Sequence, residues 1–127
     1  MNKILVEVSV GELLDKISIL EIKQEKIKDT ESLKFINDEY NVLKDELDKN
    51  IKTDEKLKNL FNSLKEINSK LWVIEDDKRM CEKNKDFSEK FIKLSRDVHL
   101  LNDERAKIKL EINNILGSNI KEVKSHF

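Results

Sequence analysis

"LKNLFNSLKEINSKLWVIEDDKRMC", residues 57–81, decides the fold. Leu57, Leu60, Leu64, Ile67, Leu71, Ile74, Lys78 and Cys81 recur at alternating steps of 3 and 4 residues. At 3.6 residues per turn, such steps draw one stripe along a helix. Sustained over seven steps, the stripe predicts helices packed at shallow angles in a bundle or coiled coil. Thr53 or Asp54 stands where a cap for this helix is needed, and the pattern runs on to about Lys83.

The same rhythm extends in both directions. Upstream, Leu33, Ile36, Tyr40, Leu43 and Leu47 define a helix from about Glu31 to Asn50, with Thr30 as its cap. Before it, Val10, Leu13, Ile17, Leu20, Gln24 and Ile27 define a first helix ending near Lys28. Ser9 followed by Glu12 forms a capping box at its start. Downstream, "KNKD" breaks the pattern, and Asp86 with Glu89 offers a second capping box. A fourth helix then carries Phe87, Phe91, Leu94, Val98, Leu101, Arg105, Ile108, Ile112 and Ile115, and Gly117 is its stop. "KILVEVS" before the first helix and "SNIKEVKSHF" after the last read as short extended segments. The expected fold is therefore all-α: four antiparallel helices, the 3–4 hairpin longer, in one domain spanning residues 1–127.

Composition agrees. The chain has 127 residues, no Pro and two Gly, too few turn residues for a sheet protein. Charged residues make up 40%, yet the net charge is only -1, as expected of solvated helix faces. With no basic block, a nucleic-acid partner is not expected. No apolar run is long enough to span a membrane. The first residues lack a signal peptide's pattern, and a single Cys cannot form an internal disulfide, so the expected compartment is the cytoplasm.

The unequal helix lengths have a consequence. The first two helices have about 20 residues and the last two about 30, so the 3–4 hairpin overhangs by several turns. Its tip carries Trp72, Ile74, Cys81, Phe87, Phe91 and Ile92. Two helices alone bury such a stripe poorly, which points to a partner, most simply a second copy in a two-fold homodimer.

Little in the sequence supports catalysis. His99, His126 and Cys81 are scattered without ligand spacing, so no metal is expected. Two glycines cannot build a phosphate loop, and no cofactor is expected. Helical nucleotide pyrophosphatases hold magnesium with paired acidic motifs, but Glu12 and Asp15 supply one pair without a second. Chorismate-mutase-like enzymes need an Arg in their first helix, and none is present. Cys81, on a helix seam without a His partner, reads as a small core residue.

What remains is polar residues at apolar positions. Only 3 of the 25 basic residues are Arg, and Arg105 falls on the fourth helix's seam. Set antiparallel with Val10 level with Leu116, the first and fourth helices bring Arg105 opposite Glu21 and Asn102 opposite Gln24. Tyr40 and Asn68 lie at a similar height. A buried guanidinium needs a carboxylate, and Glu21 is the expected one. This layer reads either as a device fixing helix register or as a small-anion site built from Arg105, Lys109, Asn102 and Gln24. A second group, Trp72, Glu75, Asp76 and Arg79, combines an i, i+4 ion pair (Glu75 with Arg79) and a Trp beside charges, a candidate contact anchor.

Four stretches carry a family resemblance: "VEVSVGELLDKISILEIK", "LWVIEDDKR", "FIKLSRDVHLLNDERAKIKLEIN" and "LGSNIKEVKSH". They resemble a family of short bacterial all-helical proteins catalogued as a domain of unknown function. The resemblance implies a stand-alone cytoplasmic bacterial protein, and it assigns no catalytic residue. By their place in these motifs, Glu21, Lys23, Glu75, Asp76, Asn102, Asp103 and Arg105 are where a shared site would be sought. The functional expectation is a non-enzymatic adaptor or regulator acting through protein contacts. The alternative is a helical enzyme or sensor binding a small anion around Arg105.

Overall fold

The computed structural model describes residues 3–117. Four helices account for most of them: α1 (Val10–Lys26), α2 (Thr30–Asn50), α3 (Glu55–Lys83) and α4 (Glu89–Leu116). No strand occurs among the described residues, and the fold is all-α.

Local chemistry sets the helix ends. Ser9 Oγ accepts from Glu12 N–H at 3.1 Å and caps α1. Thr30 does not cap α2. Asp29 does, taking the Ser32 N–H at 2.9 Å, because its carboxylate accepts more strongly than a hydroxyl. Asp54 caps α3 through the Leu57 N–H at 2.8 Å. The expected Asp86–Glu89 box does not form. Ser88 holds the N-cap position of α4 without a side-chain cap bond, and Asp86 folds locally onto the Ser88 N–H at 3.1 Å. Gly117 ends α4 with φ 61, the left-handed conformation that a missing Cβ makes easy.

α1 is the hub: its backbone approaches α2, α3 and α4, whereas α2 approaches only α1. α3 and α4 form an antiparallel hairpin of 29 and 28 residues, against 17 and 21 for α1 and α2. Leu14, Ile17, Leu47, Leu57, Leu64 and Ile112 form the central apolar cluster, with Leu64 and Ile112 at 0% exposure. The expected stripes on α2 and α3 do face inward, although most of α2's is only half-buried.

On α1 the expected stripe is buried at Ile17 and Leu20, but the inward face extends to a second stripe beside it. Leu13, Gln24 and Ile27 are half-buried, while Gly11, Asp15, Ser18 and Ile22 are buried. These four lie at steps of 4, 3 and 4, so a stripe of mostly small and polar residues faces α3 and α4. Gly11 makes the close approach: a Cβ there would sit 2.5 Å from the Lys109 carbonyl oxygen and 2.9 Å from Asn113 Oδ1. Asn113 Oδ1 accepts the Gly11 N–H at 2.7 Å, which ties the start of α1 to α4.

The hairpin tip is partly self-covered. Cys81 is buried, Trp72, Ile74 and Phe91 are half-buried, and Phe87 and Ile92 are exposed. Phe87 meets Phe91 edge-on with centroids 5.4 Å apart, and Lys78 Nζ stands 5.7 Å from the Phe91 centroid. Residues 3–9 have neither helix nor strand, and Ile4, Leu5, Val6 and Val8 are exposed. The expected extended tail after Gly117 lies outside the described residues.

Candidate functional site: the Asp15–Arg105 layer and the Trp72 cleft

Arg105 does have a carboxylate partner, but it is Asp15 and not Glu21. Arg105 Nε donates to Asp15 Oδ1 at 2.9 Å, and Nη2 donates to Oδ2, a bidentate pair. The Asp15 side chain is 2% exposed and that of Arg105 28%. Asn68 Nδ2 donates to Asp15 Oδ1 at 2.9 Å and to Ser18 Oγ at 2.8 Å, while Ser18 donates to the Asp15 carbonyl. Asn102 Oδ1 accepts from Arg105 Nη1 at 3.3 Å. The layer thus joins α1, α3 and α4 and answers the polar atoms it buries, as a dry interior demands.

Below it, buried Lys109 donates to Glu12 Oε2 at 2.7 Å. Antiparallel α1 and α4 are thereby pinned by Gly11–Asn113, Glu12–Lys109 and Asp15–Arg105.

Three expected members belong elsewhere. Glu21 accepts from Lys65 Nζ at 3.1 Å and from the Tyr40 hydroxyl at 3.4 Å. Gln24 donates to Asn37 at 3.0 Å on the exposed side of α1 and α2. The reason is rotational: Glu21 lies six residues from Asp15, about 120° round the helix. It therefore joins a second network. There Lys65 also reaches Glu25 at 2.9 Å; that bond, more than Glu21, raises its pKa against the opposing effect of burial. Burial first, then the negative charge of Glu21, raises the Tyr40 hydroxyl. This network borders a cavity of about 310 Å³ lined by residues of α1, α2 and α3.

Above the Asp15–Arg105 layer opens a cleft of about 280 Å³. Arg105 and Asn68 line it together with Ile22, Leu71, Trp72, Glu75, Asp76 and Arg79. Two groups that are far apart in sequence therefore share one surface. Glu75 and Arg79 do not close the expected i, i+4 pair; no ion pair joins them, in keeping with the small value of exposed pairs. Phe87 and Phe91 stand apart from the cleft, at the tip. Asp103 and Lys23 are half-buried and do not line it.

The electrostatics count against an anion. Arg105's charge is offset by a buried carboxylate, which weakens its pull on an anion in the cleft. At the cleft wall Glu75 and Asp76 add two negative charges, against Arg79 and the already paired Arg105. Among the described residues no three His, Cys, Asp or Glu side chains cluster as metal ligands, and no helix is long and apolar enough to cross a membrane.

Asp15, Ser18, Glu12, Lys65 and Asn113 were not singled out by sequence reasoning as members of these networks. A signal existed for two of them: Gly11, Asp15 and Ser18 keep helical spacing with Ile22, and a small-residue stripe permits close helix approach.

The fold and this layer define an all-α helical protein whose first helix packs on a long hairpin through a buried ion pair. The chain belongs to a family of unknown function, DUF6165, which it matches over residues 4–126. Comparison with curated proteins finds no match, and comparison with solved structures finds none.

Proposed function

We propose that this protein is a non-enzymatic assembly or adaptor protein of the bacterial cytoplasm, acting through protein–protein contacts and first of all as a homodimer. One observation carries the reading. Val73, Met80, Ile92 and Leu100 on the long hairpin are each about half exposed, while Arg105, the charge that would serve chemistry, is held in a bidentate pair by buried Asp15. Apolar surface left on packed helices is what a partner covers. Cys81, free and buried, suits a reducing compartment.

A second reading is favoured by the partial exposure of Arg105 at the cleft: a small anionic ligand bound there, in an enzyme or sensor. Two measurements separate the readings. Light scattering during chromatography at tens of micromolar should give twice the chain mass, about 30 kDa. A thermal-shift screen with anionic sugars and nucleotides should leave the melting temperature unchanged. A strict monomer stabilised by an anion, with the gain lost in Arg105→Met, would replace the first reading by the second.

A further inference from the structure

We propose that the outer face of the α3–α4 hairpin is a self-association surface. On it a second copy packs about a two-fold axis lying across both helices, next to Val73 on α3 and between Val98 and His99 on α4. This rests on the homodimer reading and adds the surface and the geometry.

The face is an open groove of about 690 Å³ lined by Val73, Ile74, Leu100 and Leu101, with charged residues along its edges. It points away from α1. Val73 lies five residues from Asn68, and Leu100 five from Arg105, so each is turned about 140° from the α1 contact. α1 and α2 therefore leave it uncovered, and Val73 and Leu100 are each 50% exposed.

The charges on this face choose the occupant. Lys70 and Asp77 are one heptad apart on α3 and flank Val73 and Ile74. Lys93 and Glu104 lie eleven residues apart on α4, on the same face as Leu100, with their midpoint between Val98 and His99. A two-fold axis across the helices sets α3 antiparallel to the second copy's α3, and α4 to its α4. Lys70 then faces the second copy's Asp77, and Lys93 faces its Glu104. Both pairs occur twice, all four with opposite signs, around a centre of Val73, Ile74 and Leu100 that also carries Asp97, whose charge Lys93 answers on its own helix.

Within one chain these groups have little to hold them. Lys70 reaches Glu66 at 3.6 Å and Lys93 reaches Asp97 at 2.8 Å, both exposed pairs on their own helix. Asp77 and Glu104 have no ion pair among the described residues. An isologous interface requires one patch that complements itself, and this patch does.

The test is sedimentation equilibrium of the whole chain, with circular dichroism showing that each variant folds. The wild type should dimerise. Leu100→Asp, which the axis sets beside the second copy's Asp97, should raise the dimer Kd on the order of 100-fold. Lys70→Glu should raise it about tenfold, and Lys70→Glu with Asp77→Lys should return it to within about threefold of wild type. Val73→Cys, next to the axis, should give a disulfide-linked dimer with oxidised glutathione, whereas buried Cys81 in the wild type should not. A monomeric wild type would overturn the homodimer reading and this surface together. A dimer indifferent to Leu100→Asp, or one lost only when Ile4 and Val6 are made Ser, would overturn the surface alone and leave the homodimer standing.

Discussion

Removing Arg105 should harm this protein far more than its 28% exposure suggests. In Arg105→Met the Asp15 carboxylate, 2% exposed, keeps only the Asn68 amide among its side-chain partners. Breaking a buried pair from one side costs about 3–5 kcal/mol, and the partial exposure of Arg105 brings the expectation to about 3 kcal/mol. Asp15→Leu should cost less, about 2 kcal/mol, because the stranded guanidinium can turn toward water in the cleft. The double variant Asp15→Leu/Arg105→Met leaves no charge stranded and should fall within about 1–2 kcal/mol of wild type. The cycle then yields a coupling on the order of 3 kcal/mol. Urea unfolding followed at 222 nm measures it, at one fixed chain concentration because a dimer makes stability concentration-dependent. Trp72, which lines the same cleft, reports the layer locally by fluorescence. Glu21→Leu is the internal control: its partners Lys65 and Tyr40 are only partly buried, and the cost should be about 1 kcal/mol or less. If Arg105→Met unfolds within about 0.5 kcal/mol of wild type, or if Glu21→Leu costs more than Asp15→Leu, the polar layer has been misread.

Two further outcomes follow from particular contacts. Gly11→Ala should destabilise by about 2 kcal/mol or more, since its Cβ would overlap the Lys109 carbonyl and push α1 off α4; unfolding at equilibrium checks it, and an unchanged midpoint would mean that the helices can separate freely. Asp29 has its pKa lowered by the Ser32 hydroxyl first and the Ser32 N–H second, so its folded value lies below the ordinary 3.8. Its stabilising effect is present above that value and is lost as pH falls through the folded one; Asp29→Asn should therefore flatten part of the acid limb below about pH 4 in a melting-temperature profile.

The local rules of the chain were legible without coordinates. Alternating steps of 3 and 4 fix a helix because an apolar stripe must turn inward, and this held for α3 from Leu57 to Cys81. α2 and α3 start within a residue of where their caps were sought, and Gly117 ends α4, because each of those signals acts within one turn. Thr30 lost to Asp29 and Asp86 lost to Ser88 where two capping residues competed within a turn, a contest that spacing does not decide.

The candidate site was legible only by residue type. That Arg105 required a carboxylate follows from the cost of burying a charge, and any sequence reader can demand one. Which carboxylate answers depends on how α1 is rotated, and Asp15 and Glu21 differ by about a third of a turn. That rotation is set by Gly11 meeting the Lys109 backbone and by Leu14 and Ile17 entering the cluster with Leu47 and Leu64, contacts between segments far apart in the chain. The packing of α3 against α4 brings Trp72, Glu75, Asp76 and Arg79 to the mouth of the Arg105 layer. The sequence by itself determined four helices and the need for a buried ion pair, because spacing and desolvation act locally. The tertiary structure alone decided the pair's second member and the face left bare on the hairpin, because both depend on which helix covers which side.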